Sequence, residues 1–290
     1  MRVLTATPGL TNVFAPIMLV RESRCSVILF LLVTLSACGR KAVDSTSVVN
    51  EVRLNDRQVT SLDTKKVFFG HQSVGADIIQ GIRDLMAEDP RLKLNIVSSP
   101  DPESVQGPAF VESAIGENRK PQSKNDAFAA ILSRGMGAQG GVAMYKYCYV
   151  DIDLTSDVQH LFDAYRDQVS ALKSRYPGLT IVHITVPLTT VEPELKSWAK
   201  TLLGRPTERD VAVKRNEFNQ LLRRTYSGRD PIFDLAEVES TLPDGSRSYF
   251  TRGDQQIYTL APDLTTDGGH LNAMGRRAAA TRLLQVLADL

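Results

Sequence analysis

The chain has 290 residues, 42% of them hydrophobic and 23% charged, and its 34 basic and 33 acidic side chains leave a formal net charge of +1. This is an ordinary composition for one globular domain with short additions, and the near-neutral balance excludes a global field that would draw in nucleic acid. No zinc-finger spacing, nucleotide-binding glycine loop or basic run with interleaved aromatics is present, so no metal, cofactor or nucleic-acid partner is expected.

The first predicted element is a targeting segment. Arg21 and Arg24 precede an apolar stretch, Ser26 to Leu35, too short for a comfortable membrane span. Leu35-Ser36-Ala37-Cys38 resembles the bacterial lipobox, in which cleavage precedes a cysteine that then carries diacylglycerol. Residues 1–37 are therefore expected to be a lipoprotein-type signal peptide, with Met18 a start that would give it normal length. Lipidation at Cys38 would anchor the protein to a membrane of the bacterial cell envelope, facing the periplasm, on the outer membrane in a Gram-negative cell. A plain signal peptide or an uncleaved anchor is the alternative. Residues 38–60 are polar and weakly patterned and read as a tether, which leaves 61–290 as the folded domain. Of Cys25, Cys38 and Cys148 only the last lies in that domain, so no internal disulfide is expected to hold it.

Within the domain, short apolar runs alternate with longer amphipathic ones. Lys66 to Gly70 reads as a buried strand. Val74 to Glu88 reads as a helix with Ile78, Ile82 and Leu85 at helical spacing, stopped by Pro90. Lys93 to Ser98 is a second strand, Pro100 to Gln122 a long loop, Lys124 to Arg134 a short helix and Gly141 to Val150 a third strand. A long helix from Thr155 to Tyr176, capped by Thr155 or Ser156, leads to the clearest strand, Leu179 to Val186. An insertion, Val191 to Pro206, carries Trp198 and reads as a lid or substrate wall. Then come a helix (Glu208 to Tyr226), a fifth strand (Pro231 to Leu235), a loop from Ala236 to Gly269 and a closing helix (Asn272 to Leu290). This alternation predicts an α/β fold, a three-layer doubly wound sandwich around a mostly parallel five-stranded sheet. Ligands bind such sheets at the carboxyl ends of the strands, and the two long loops should border that edge.

Two segments can carry chemistry there. Ser73 lies in Gly70-His71-Gln72-Ser73-Val74-Gly75, between the first strand and first helix, where a hydroxyl is exposed beside the positive end of a helix dipole. Ser73 is equally read as a plain helix cap. Asp267-Gly268-Gly269-His270 precedes the last helix, and a hydroxyl nucleophile needs such a base with an orienting carboxylate. The alternative there is a turn with a helix cap, or a metal site. His71 can line the pocket or assist the base. His183 reads as a core histidine, His160 as solvated, Cys148 as a buried small hydrophobe, and Asp234 as either a pocket residue or a loop cap.

Together, a Gly-x-x-Ser-x-Gly turn after the first strand and the closing DGGHLNAMGRRAAATRLL tail resemble the SGNH (GDSL-type) hydrolase family, in layout over residues 66–290. The resemblance implies a flavodoxin-like sandwich with Ser73 as nucleophile, His270 as general base and Asp267 as its orienting partner. It also implies an oxyanion hole fed by a glycine N–H and an asparagine. Here the sequence departs from the family: His71-Gln72 precede the serine where Gly-Asp is usual, and no asparagine follows the third strand. Gly116 is the leading oxyanion candidate and Gly107 the second, with Asn118, Lys146, Tyr147 and His71 as further pocket candidates.

The expected function is a serine esterase acting on acyl or acetyl esters of the envelope, its partner a small ester or an O-acylated glycan. An acyltransferase acting on envelope polysaccharide is one alternative, and a non-catalytic glycan-binding lipoprotein another. A metallohydrolase built from Asp267, His270 and His71 is a fourth reading, although these three do not form a closed ligand set.

Overall fold

The structure is a computed structural model that describes residues 53–290; the expected signal peptide, Cys38 and most of the tether lie outside the described residues. Folded chain begins inside the stretch read as tether. Leu54 is buried, and Asn55 caps helix α1 (Asp56–Leu62) in a capping box with Gln58. Val59 and Leu62 give α1 an apolar side that packs into the core.

Strand β1 (Lys66–His71) leads to α2 (Val74–Glu88), both close to the predicted limits. The stretch expected as the loop 100–122 holds a strand. After β2 (Ile96–Ser98) the chain returns through a 3₁₀ turn at Pro102–Ser104 and lays β3 (Ala109–Ala114) between β2 and β1. Its AFVESA sequence is interrupted by Glu112 and Ser113, which hid it from a search for hydrophobic runs. Next come α3 (Pro121–Ile131), a wide turn, the single-turn α4 (Gly137–Gln139) and β4 (Gly141–Tyr145). Helix α5 (Val158–Arg175) starts at Asp157, whose side chain accepts the His160 N–H, so neither Thr155 nor Ser156 is the cap. Strand β5 (Leu179–Ile184) follows, the stretch read as an insertion, Val191 to Pro206, holds a helix, α6 (Glu194–Leu202), and α7 (Glu208–Tyr226) and β6 (Ile232–Phe233) come in the expected order. The expected loop 236–269 contains α8 (Leu235–Ser240) and an antiparallel hairpin, β7 (Tyr249–Arg252) with β8 (Gln255–Tyr258). Asn272 then caps α9 (Ala273–Ala288) by accepting the N–H groups of Met274 and Gly275.

The main sheet therefore has six strands rather than five, in the order β2-β3-β1-β4-β5-β6, and all its pairings are parallel. Neighbours on β1 point to opposite faces, as the period of two requires. Phe69 joins Ile78, Met144 and Leu283 in a layer against α2 and α9, and Phe68 joins Phe128, Tyr145 and Phe218 in a layer against α3, α5 and α7. A three-layer α/β sandwich results. It sets the carboxyl ends of β1, β3, β4 and β5 side by side, and the chemistry-bearing segments emerge along that edge.

Candidate active site

Ser73 occupies a backbone conformation that disfavours a side chain. Its φ is 32° and its ψ −94°, a left-handed placement for a residue with a Cβ. It sits at the N-cap of α2, but its hydroxyl makes no cap hydrogen bond. A serine kept for capping would do the reverse, taking an extended conformation and bonding the helix N–H groups. Here the turn holds the hydroxyl off the helix end and leaves it open.

Two neighbours keep this turn in place. Gln72 Nε2 donates to the carbonyls of Ile115 (3.2 Å) and Gly116 (2.9 Å), which stitches the serine turn to the loop after β3. Gly75 lies against His71, and a Cβ at that position would fall 2.3 Å from the His71 Cβ, so the first turn of α2 closes only over a glycine.

The Asp267–His270 turn is built around its carboxylate. Asp267 Oδ1 accepts the backbone N–H groups of Gly269 (2.9 Å) and His270 (2.8 Å), and Oδ2 bonds His270 Nδ1 at 2.6 Å. These three bonds, led by the His270 backbone N–H, hold the Asp267 carboxyl well below the usual carboxylate range. The carboxylate therefore stays ionised and fixes the ring with Nδ1 inward. His270 Nε2 bonds no other described residue. Leu271, the next residue, donates its N–H to Asp77 Oδ2 at 3.1 Å, in the first turn of the helix that starts after Ser73. Serine turn and histidine turn are thus brought to one place and joined by a hydrogen bond.

The oxyanion candidates separate. Gly116 lies in the loop stitched by Gln72, with φ +58°, and a Cβ there would meet the Lys124 backbone at 2.7 Å. Asn118 sits two residues on, its side-chain oxygen accepting from Lys124 Nζ at 3.2 Å, which leaves its NH₂ open. A buried ion pair between Lys124 and Asp151 anchors this loop, since Asp151 also accepts the N–H groups of Arg119 (2.7 Å) and Cys148 (2.6 Å). Gly107 is a correction. It precedes β3 and so lies at the amino edge of the sheet, opposite Ser73. Tyr147 is a second correction. Its ring lies in the layer against α3, α5 and α7, and its hydroxyl donates to Asn125 Oδ1 at 2.7 Å. Lys146 is buried at the end of β4, its Nζ 3.5 Å from Cys148 Sγ, with no carboxylate at ion-pair distance among the described residues. Burial lowers its pKa. His71 is buried beneath the serine turn, its Nε2 3.0 Å from Glu112 Oε2 and its Nδ1 without a partner; desolvation brings its pKa down to about 4. It is a neutral support rather than a second base.

Several residues of the site were not legible in the sequence. Tyr149 lies beside His270, its ring centroid 6.0 Å from the imidazole's, and a Cβ on Gly269 would touch its hydroxyl at 2.9 Å. Arg215 donates to the Tyr149 carbonyl (2.8 Å) and to Thr189 Oγ1 (2.7 Å). Glu239 is fully buried and accepts the Leu188 N–H, and desolvation raises its pKa to about 8. One signal was available: Arg215 falls three residues from both Ala212 and Phe218, on the buried stripe of α7 where a charge is out of pattern. The bland readings hold for His183, a core histidine 2.8 Å from the Tyr165 hydroxyl and stacked on Tyr226, and for Asp234, which caps α8 and pairs with Arg223. Among the described residues no cluster of three or more His, Cys, Asp or Glu side chains is placed to hold a metal ion.

No protein-family model and no curated protein matches the chain. Solved structures similar to it include a GDSL-like lipase from Bacteroides thetaiotaomicron VPI-5482, 10% identical, with a TM-score of 0.49 over 77% of this chain and 87% of that one. An acetyl xylan esterase is 15% identical, with a TM-score of 0.42 over 76% of this chain and 97% of that one. The periplasmic domain of a lipopolysaccharide acetyltransferase from Salmonella ser. Paratyphi A is 12% identical, with a TM-score of 0.42 over 76% of this chain and 83% of that one.

Proposed function

We propose that the protein is a serine hydrolase of ester bonds, with Ser73 as nucleophile, His270 as general base and Asp267 as the carboxylate that orients the base. The observation that carries this reading is the pairing of a strained serine, its hydroxyl unused by the helix it caps, with an Asp–His dyad on a turn hydrogen-bonded to that same helix. In the proposed reaction His270 Nε2 takes the Ser73 proton as Oγ attacks the acyl carbon, and returns it to the leaving alcohol. Water then enters by the same route and releases the acid. The Val74 N–H, which follows Ser73 and donates to none of the described residues, and the Gly116 N–H are the proposed oxyanion donors, with the open Asn118 amide behind them.

The proposed substrates are acyl or acetyl esters of the cell envelope. That location rests on the sequence from Arg21 to Cys38 and its expected lipidation at Cys38. The test is hydrolysis of 4-nitrophenyl acetate by the purified protein and by Ser73→Ala. The variant is expected to lose roughly a thousandfold or more in kcat. Undiminished turnover by folded Ser73→Ala would overturn the assignment.

A further inference from the structure

Arg215 is 5% exposed, yet no Asp or Glu of the described residues lies within ion-pair distance of its guanidinium. Its Nε and Nη1 donate to neutral acceptors, the Tyr149 carbonyl and Thr189 Oγ1, while Nη2 donates to none of the described residues. The acid whose charge bears on it most, Glu208, is exposed to water, and the buried acid nearby, Glu239, is held protonated by its burial up to about pH 8, so no buried carboxylate compensates the cation at neutral pH. Buried cations are ordinarily paired, because taking the charge out of water costs more than neutral hydrogen bonds return.

Its position says what the missing partner is for. The two residues it holds stand at the dyad: the Tyr149 ring is 6.0 Å from the His270 ring, and Thr190, next to Thr189, donates its N–H to the Gly268 carbonyl at 2.9 Å. The Arg215 Cζ itself lies 5.8 Å from the Tyr149 ring centroid. A planar fork with one arm unfilled is suited to a carboxylate or phosphate oxygen, which it binds with direction as well as charge.

We propose that Arg215 forms an anion subsite beside the Ser73–His270 centre, so that the substrates are esters bearing a carboxylate or another anionic oxygen group near the scissile bond. This rests on the esterase reading for its catalytic consequence, but anion binding itself does not. Tyr149 would separate the subsite from the base, and Thr189 would hold the fork in register.

Two measurements test it. The first is binding of glutarate and of inorganic phosphate to the full-length protein, followed by thermal shift, for the unmodified chain and for Arg215→Gln and Arg215→Lys. A saturable stabilisation that is lost in Arg215→Gln and retained in part in Arg215→Lys is expected. Absence of any shift in the unmodified protein overturns the subsite even if the protein proves to be an esterase. The second compares mono-4-nitrophenyl glutarate with its methyl ester, and 4-carboxyphenyl acetate with its methyl ester, since the anion can sit on the acyl or the alcohol side. In at least one pair the anionic ester is expected to be favoured in kcat/KM by roughly tenfold or more, and Arg215→Gln to erase that ratio through KM. A mere clamp on the Tyr149 and Thr189 loops would slow both members of a pair alike and leave the ratio unmoved, which would overturn the proposal. If Arg215→Gln does not fold, the ratio in the unmodified protein, with glutarate as a competitive inhibitor of neutral-ester hydrolysis, decides in the same way.

Discussion

The backbone N–H of Leu271 donates to Asp77 Oδ2 at 3.1 Å and joins residues 194 apart in the chain. Asp77 belongs to the first turn of α2, immediately after Ser73, and Leu271 follows His270. The contact is thus the register pin between proposed nucleophile and base. Asp77→Ala leaves the buried Leu271 N–H without an acceptor, at a cost of about 1–3 kcal/mol, and frees the dyad turn to drift. A fall in kcat of roughly tenfold to a hundredfold is expected. Asp77→Asn, whose amide oxygen still accepts, should keep most of the rate. Equal loss in both variants would show that charge, not position, is what Asp77 supplies.

Asp267 sets the tautomer of His270, the proposed base. In Asp267→Asn the amide oxygen can keep the Gly269 and His270 backbone N–H groups, but an NH₂ then faces His270 Nδ1. The ring must present its N–H towards Ser73, where a base is needed. A loss of roughly a hundredfold or more in kcat with little change in KM is expected from steady-state kinetics. Because the carboxyl pKa is held well below its usual range, this carboxylate should not shape the acid limb of the pH–rate profile of the unmodified protein.

Glu239 makes stability fall with rising pH. Its pKa is raised from 4.5 to about 8 by burial, so between those values the folded chain keeps a proton that the unfolded chain releases. The contribution is complete below pH 4.5, declines through that interval and is spent above about 8. Glu239→Gln removes the titration and preserves an acceptor for the Leu188 N–H. Its Tm minus that of the unmodified protein should therefore grow from pH 5 to pH 8, as scanning calorimetry can read. A difference independent of pH would contradict the buried, protonated state.

The Lys124–Asp151 pair has both side chains fully buried and ties the Gly116–Arg119 loop to the end of β4. Removing one partner strands the other charge, so Asp151→Ala should cost about 3–5 kcal/mol in denaturant unfolding. Activity lost at temperatures where the variant remains folded would identify the pair as support for the oxyanion loop.

Much of the fold was legible because its signals are local. The limits of α2 follow from apolar residues at helical spacing and from the stop at Pro90, and α7 spans the predicted Glu208 to Tyr226. Ser73 and Asp267–His270 stood out because each interrupts the pattern at the end of an element. β3 escaped because a strand flanked on both sides by other strands can be held by its ladder rather than by a run of apolar side chains. Gly107 was misplaced for the same reason: with β3 unseen, the residue before it could not be assigned to the amino edge.

The amino-acid sequence by itself determined the strand–helix alternation, the turn chemistry around Ser73 and the self-contained Asp267–His270 dyad, whose hydrogen bonds span three residues. Such features depend on backbone preferences and short-range bonds, which a linear reading can follow. Only the tertiary structure decided that Ser73 leaves its hydroxyl uncommitted, that Asp77 pins the dyad to its helix, and that Lys146, Arg215 and Glu239 sit buried with no ion-pair partner among the described residues. Each of these depends on which distant groups surround an atom and on how much water they exclude, quantities set by packing across the sheet edge rather than by neighbours in the chain.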